Sequence, residues 1–162
     1  MMTSKNNNAF TLIELMVVVA ILGVLVSITM PSYHQYTVKT QLSEALLMTE
    51  QIKPNIVAYY KKHHRLPKNN SQAGLPSAQH LISNFVVKVN IDNGALHLTL
   101  GNKINQKLMG KVLSIQPLTV DGSPKSPMDW GCGYAVAPKG MSKQGANNTD
   151  VEHYYLPVRC RI

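Results

Sequence analysis

The chain begins with a short polar segment that is followed by its longest apolar run. Residues 1–9 are polar with one lysine, whereas residues 10–30 hold 21 positions with Glu14 as their one charge. A helix of that length, at about 1.5 Å per residue, spans roughly 30 Å, which is the thickness of a bilayer core. A domain of this size has too few residues to cover such a helix on every side. The pattern therefore predicts a membrane-spanning helix.

The position of the small residues indicates that this helix is kept in the mature protein. A secretory signal is cut after its apolar run. Here the plausible processing site, Asn-Ala followed by Phe, lies before the run, between Ala9 and Phe10. We therefore predict a leader over residues 1–9, a membrane helix over residues 10–35 and a globular head over residues 36–162.

Beyond the membrane segment the apolar positions become periodic. They recur every three or four residues, which is the spacing of a helix with one buried face. The residues are Leu42, Ala45, Leu46, Thr49, Ile52, Ile56 and Tyr60. The pattern predicts a single helix from Phe10 to about Lys62, whose second half packs its apolar stripe on the head.

The middle of the chain changes to a period of two. Residues 85–92 and 95–100 alternate around Asn93-Gly94, a pair typical of a type I′ turn, so they predict a β-hairpin. A third strand is predicted over residues 111–118, ending at Pro117 or lying at an edge. A fourth is predicted over residues 132–137. The expected fold class is α+β, a long helix against an antiparallel sheet of three or four strands.

The composition and charge of the chain limit the kinds of function that it can have. The 162 residues carry 16 Lys and Arg against eight Asp and Glu, a net charge of +8 that favours anionic partners. The densest basic group, Lys61, Lys62, Arg65 and Lys68, is most simply a solvated surface. The common enzyme signatures are absent, and adjacent His63 and His64 diverge on a helix. We therefore predict no catalytic residue, no metal site and no cofactor.

Residues 1–36 resemble the N-terminal region of type IV pilins, which carry a class III signal peptide. The resemblance rests on the basic leader, the run Phe10-Thr-Leu-Ile-Glu14, the apolar stretch, and then Pro31 and Tyr33. It implies that a prepilin peptidase cuts between Ala9 and Phe10 and methylates the new amine. The family usually has glycine where this chain has Ala9, so slower cleavage is expected. It also implies that Glu14 neutralises the amine of a neighbouring subunit during assembly.

The C-terminal region carries a second resemblance to the same family. Trp130-Gly-Cys132 and Leu156-Pro-Val-Arg-Cys160 are similar to the ends of type IVa major pilins, in which the two cysteines close a disulfide loop. The resemblance implies a disulfide between Cys132 and Cys160. An extracellular location would preserve it.

The resemblance implies a structural subunit of a type IV pilus. Such a subunit is held in the inner membrane, where it meets prepilin peptidase and the pilus assembly machinery, and is then assembled with its own copies into an extracellular helical filament. One alternative is a DNA-binding or minor pilin of a competence pilus, with Lys139, Lys143, Arg159 and Arg161 meeting phosphates. Two others are a pseudopilin of a secretion system and a membrane-anchored enzyme. Pseudopilins generally lack the cysteine-containing ending, and the sequence of the head contains no nucleophile–base pair of the kind an enzyme would need.

Overall fold

The structure is a computed structural model that describes residues 10–123 and 125–161. The predicted leader, including Ala9, lies outside the described residues. The chain divides into two compact units that meet between Tyr36 and Thr37. The first holds the apolar part of the long helix, and the second holds the rest of that helix and the sheet.

Helix α1 runs from Leu12 to His63, close to the predicted bounds. Its start is fixed by a capping box, in which the Thr11 side chain accepts from the Glu14 N–H and the Glu14 carboxylate accepts from the Thr11 N–H. The helix continues through Pro31 and Pro54. It stops where His64 adopts a positive φ of 53°.

The second half of α1 buries the predicted stripe. The buried positions are Val38, Leu42, Ala45, Leu46, Thr49, Ile52 and Ile56, while Tyr60 is half-buried. They pack against one face of the sheet, from which Val89, Ile91, Leu96, Leu98, Leu113 and Ile115 point inward. The core of the head therefore lies between this half of α1 and the sheet.

The sheet is antiparallel and has five strands. They are β1 Val86–Asp92, β2 Ala95–Leu100, β3 Val112–Val120, β4 Asp129–Cys132 and β5 Met141–Lys143. The order is β1-β2-β3-β4, and β5 also pairs with β3. The hairpin prediction is confirmed, because Asn93 and Gly94 have φ values of 46° and 81°, as a type I′ turn requires. The α+β class is confirmed, with one strand more than the three or four expected.

Two strand predictions need correction. Strand β3 continues past Pro117 to Val120. The β2–β3 pairing ends at Ile115, and on the same side of β3 the Pro117 carbonyl accepts from Gln144 N at 2.9 Å, so the strand stays paired there through its carbonyl although proline has no N–H.

The fourth strand lies earlier than predicted, over Asp129–Cys132 instead of residues 132–137. Gly133 has a φ of 56°, and Ala135 N donates to Cys132 O, so the chain turns where the sequence suggested a strand. The alternating residue pattern over residues 132–137 was the reason for the incorrect strand prediction.

A segment over residues 145–150 completes the edge of β3 that β4 does not reach. Asp150 N donates to Val112 O at 3.1 Å, and Ser114 N donates to Thr149 Oγ1 at 3.0 Å. The Gln116 side chain donates to Gly145 O at 2.8 Å. The first two bonds satisfy backbone groups of β3 that would otherwise be left unpaired at a sheet edge, and the third holds the segment against β3.

Candidate assembly site and head surface

The start of α1 places Glu14 within reach of its own Thr11. Thr11 N and Thr11 Oγ1 each donate to Glu14 Oε2 at 2.9 Å. The carboxylate also lies one turn from Phe10, whose side chain is exposed. Thr11 therefore holds the Glu14 carboxylate, a contact that the sequence analysis did not predict. The signal was present, because threonine followed by glutamate three residues later is the capping-box pattern.

The apolar segment of α1 has no protein cover in the described chain. The window Leu12–Thr29 has a mean hydropathy of 2.7, and none of it is buried. Its large side chains are all about half exposed or more, from Val18 at 48% to Leu12 at 75%. Soluble monomers rarely expose contiguous apolar patches above a few hundred Å². This surface must be covered either by lipid or by other protein chains.

The hydroxyl groups of that segment are satisfied inside the helix. Ser27 Oγ donates to Val24 O at 2.7 Å, and Thr29 Oγ1 donates to Val26 O at 3.1 Å. An unsatisfied polar group in hydrocarbon costs several kcal/mol. The segment can therefore lie in lipid, or in a dry protein interface, without unpaired hydroxyls.

The two cysteines form the disulfide that the resemblance implied. Cys132 at the end of β4 is bonded to Cys160 in a short 3₁₀ turn, Val158–Cys160, with 4.6 Å between the Cα atoms. Tyr134 N donates to Cys160 O at 2.9 Å. A Cβ at Gly133 would lie 2.8 Å from Cys160 O, so a side chain at that position would displace the junction. In the chain-entropy model a loop of this size contributes roughly 3–4 kcal/mol.

The four basic residues predicted to meet DNA do not form one cluster. Arg159 lines a small cavity with Lys53 and Trp130. The Lys143 side chain lies beside Gly131, where a Cβ would be 3.6 Å from Lys143 Cε. Trp130 and Gly131 are consecutive in β4 and so point to opposite faces of the sheet.

Lys139 and Arg161, the other two residues of that set, differ in their surroundings. Lys139 is exposed in the loop before β5. The Arg161 guanidinium donates to two backbone carbonyls, from Nε to Leu156 O at 2.7 Å and from Nη2 to Tyr154 O at 3.3 Å. Their role as a DNA contact stays a prediction.

One buried histidine lies on the outer face of the sheet. His97 is 6% exposed, and its Nδ1 is 2.9 Å from Ser114 Oγ, which accepts from Asn148 N. Its Nε2 is buried and has no partner among the described residues. Burial lowers the pKa of His97, and the negative charge of Asp92 offsets part of that effect. The fold therefore favours the neutral form of the ring.

Metal-binding groups are also scattered. Within residues 10–123 and 125–161, no three His, Cys, Asp or Glu side chains come together in a way that could hold an ion. The architecture instead defines a class of protein: it has an apolar helix that is long enough to cross a membrane and uncovered by the rest of the described chain, together with a head that is closed by a disulfide.

Comparison with known proteins gives the particular family. Residues 38–161 match the family described as Pilin (bacterial filament), and residues 4–30 match the prokaryotic N-terminal methylation motif. The chain belongs to the pilin family. Its N-methylation motif and apolar helix are those of a subunit that is anchored in the inner membrane and then enters an extracellular pilus.

Relatives of similar length support this assignment. The type IV major pilin protein PilE of Neisseria gonorrhoeae is 35% identical over 158 residues, covering 94% of this chain and 92% of the relative. A fimbrial protein of Neisseria meningitidis serogroup A is 35% identical over 161 residues, with the same shares. The fimbrial protein EcpC of Eikenella corrodens is 29% identical over 163 residues, covering 99% and 94%.

Proposed function

We propose that this protein is the structural subunit of a type IV pilus, which assembles into a helical filament through the apolar half of α1. The observation that carries the proposal is the uncovered surface of Leu12–Thr29. Burying one Val, Leu or Ile side chain contributes about 1.5–3 kcal/mol, so this surface drives association once it leaves lipid. Repeated head-to-tail contacts that do not close produce a fibre. The role is one of assembly and involves no catalytic residue.

In this proposal, proteolytic removal of the leader determines the first residue of the mature subunit. Prepilin peptidase removes residues 1–9 by cutting between Ala9 and Phe10, and the new Phe10 amine is methylated. Residues 10–35 then form the membrane and filament-core helix, and residues 36–162 form the head. The match of residues 4–30 to the N-methylation motif supports this, because it spans the bond to be cut.

Glu14 has an assembly role in the proposal. Its carboxylate lies near the end of an apolar helix, where a charge is costly unless it is paired. In one chain it accepts hydrogen bonds from Thr11. In the filament it pairs with the Phe10 amine of a neighbouring copy, which removes two uncompensated charges from the core.

A mass measurement tests the proposal. Filaments are sheared from cells, and their main protein is analysed intact and after digestion. We expect a chain that begins at Phe10 with a methylated amine. An intact Met1 in the filament protein, or a chain that starts after Met30, would contradict it. Absence of the protein from the sheared fraction would reject the role of main subunit and favour a minor pilin or a pseudopilin.

DNA is a proposed partner of the head. Residues 37–161 carry 15 Lys and Arg against seven Asp and Glu, a net +8 that attracts phosphates. The sequence-based contact set, Lys139, Lys143, Arg159 and Arg161, is one candidate surface for it. Salt-dependent binding to DNA would favour an uptake pilus over a purely structural one.

A further inference from the structure

A patch of lysines and aromatic rings lies on the head, where the second compact unit begins. Lys39 Nζ lies 5.9 Å from the centre of the Tyr154 ring, and Lys107 Nζ lies 6.0 Å from the centre of the Tyr155 ring. The two tyrosine rings meet edge to face, with their centres 5.3 Å apart. We call these four residues the tyrosine–lysine patch.

Three segments that are distant in the chain hold the patch together. On α1, Gln41 Oε1 accepts from Asn105 N at 2.9 Å, which joins the helix to the short 3₁₀ turn that follows Asn105. The C-terminal turn is held by Arg161, whose guanidinium donates to Leu156 O and Tyr154 O. The Leu156 side chain is fully buried beneath that turn. Because each segment is fixed in this way, the patch is already formed in the single subunit.

The patch presents positive charge that no carboxylate of the same chain neutralises. Neither Lys39 nor Lys107 forms an ion pair with any residue that the structure describes. The segments that form the patch contain three lysines and a single carboxylate, that of exposed Glu152: residues 37–43, 103–109 and 152–158. The two ammonium groups can therefore meet an external anion, and the local charge favours one.

The tyrosines make the patch amphipathic. Tyr154 is 49% exposed, and Tyr155 is half-buried. A tyrosine combines an apolar ring with a polar hydroxyl, and for this reason tyrosines are enriched where a membrane meets water. A lysine suits the same place, because its stem lies along apolar surface while its ammonium reaches a headgroup. The patch therefore combines two residue types that are suited to the headgroup layer of a bilayer.

The apolar half of α1 keeps the patch close to a bilayer. The apolar window ends at Thr29, and Lys39 follows ten residues later. Ten residues of helix rise about 15 Å, and a fully extended chain of that length reaches about 36 Å. Lys39 therefore stays within that distance of the window at any angle between the two compact units. While the window is anchored in lipid, this short tether gives the patch a high effective concentration of headgroups.

We propose that the tyrosine–lysine patch binds the phosphate headgroups of anionic phospholipids at the outer surface of the inner membrane, and so docks the head on the bilayer before assembly. Anionic lipid attracts each lysine that comes within a Debye length of the surface. A soluble anion would gain the contact with the lysines but would offer the tyrosine rings no apolar boundary. This inference goes beyond filament assembly, because it concerns the subunit while it is still in the membrane.

The test measures contact between the head and lipid in the full-length protein, reconstituted into vesicles. The native cysteines are joined to each other, so Gln106→Cys, at an exposed position beside Lys107, adds one free thiol for a bimane fluorophore. Val136→Cys, at a side chain 80% exposed elsewhere in the head, is the control position. The vesicles contain phosphatidylcholine with or without phosphatidylglycerol. A trace of phosphatidylcholine with a nitroxide on its headgroup quenches the fluorophore on contact.

We expect phosphatidylglycerol to increase quenching at the cysteine beside Lys107 and not at the control position. Changing Lys39 and Lys107 together to Gln should lower the ratio of docked to undocked heads by about fivefold for each lysine. The matched control changes Lys88 and Lys139, two exposed lysines outside the patch, to Gln and should keep the wild-type ratio. Tyr154→Ala should weaken docking, whereas Tyr154→Phe keeps the ring and should preserve most of it. Raising the salt concentration from about 0.1 to about 0.5 M should release the head.

Several outcomes would overturn the proposal. Equal quenching in the two kinds of vesicle would exclude recognition of anionic lipid, and equal losses in the two double variants would show attraction by net charge alone. Equal docking by Tyr154→Ala and Tyr154→Phe would exclude the tyrosine contact. Release of the head by soluble glycerol phosphate would indicate a site for free phosphate esters. Flotation of each variant with the vesicles, measured in parallel, separates a failure of head docking from a failure of the membrane anchor on which the proposed function rests.

Discussion

The two halves of α1 belong to one continuous helix, yet they bury their side chains in opposite ways. From Leu12 to Thr29 none of the helix is buried, although its mean hydropathy is 2.7. From Val38 to Ile56 a single stripe is buried to 0–3%, while neighbours such as Leu47 remain exposed. The first half is apolar on all sides, and the second half is apolar on one.

The difference separates two tasks. A stripe needs one partner surface, and the sheet of the same chain supplies it. A helix that is apolar all round needs a partner on every side, which one small head cannot provide. The second half therefore stabilises the subunit, and the first half connects it to lipid and then to other copies.

Glu14→Val should produce the largest effect, because it removes the charge that the first half carries. The variant is more apolar, so it should remain in the inner membrane. The Phe10 amine of a neighbouring copy would lose its partner in the filament core. Since breaking a buried pair costs about 3–5 kcal/mol, we expect filament yield to fall more than about tenfold.

The matched control for that experiment is Glu44→Gln in the second half. Glu44 accepts a hydrogen bond from Asn84 Nδ2 at 3.2 Å, which a glutamine oxygen can replace. Sheared filaments are quantified for both variants beside the membrane-bound pool. Wild-type yield from cells that carry only Glu14→Val would reject the assembly role.

Leucine-to-alanine changes in the two halves should affect head stability differently. Leu42 is fully buried and Leu22 is 53% exposed. We expect Leu42→Ala to lower the free energy of unfolding of the head by about 2–5 kcal/mol, whereas Leu22→Ala should leave it nearly unchanged. Guanidinium unfolding of the detergent-solubilised protein, followed through the single tryptophan, Trp130, measures both. Equal destabilisation would mean that the first half also belongs to the core of the head.

A change of pH is expected to have a smaller effect on stability, and that effect should be confined to the head. The pKa of His97 is lowered from 6.5 in the fold, so below that pH the unfolded chain binds the proton more readily than the folded one. Head stability should therefore decline as pH falls through about 6.5. His97→Gln cannot titrate and should reduce that decline between about pH 7.5 and 5.5. An identical decline in both proteins would show that His97 is not its source.

The sequence was most informative where one local rule decides the structure. Uniform apolarity predicted the first half of α1, three- and four-residue spacing predicted the second, and Asn93-Gly94 predicted the hairpin. The C-terminal disulfide followed from the resemblance carried by Trp130-Gly-Cys132 and Cys160. In each case the residues that determine the structure are neighbours in the chain or match a family pattern.

The sequence was least informative where distant segments meet. Strand β5 has three residues, Met141–Lys143, and exists because β3 offers an edge to it. The loop after α1 folds back on the helix, where Gln72 Oε1 accepts from Tyr59 O–H, and no local pattern in the sequence predicts that contact. Thr11 was overlooked for a different reason, since its capping partner Glu14 was considered only as a charge.

A thiol-labelling experiment tests most directly the claim that the exposed surface of the first half becomes the filament core. The native cysteines are joined to each other, so Val24→Cys, at a side chain 61% exposed in the single chain, adds one free thiol. Val136→Cys, at a side chain 80% exposed in the head, is the control. In intact sheared filaments a membrane-impermeant maleimide should label the control and leave Val24→Cys unlabelled until the filament is dissolved in SDS. Full labelling of Val24→Cys in intact filaments would contradict the account.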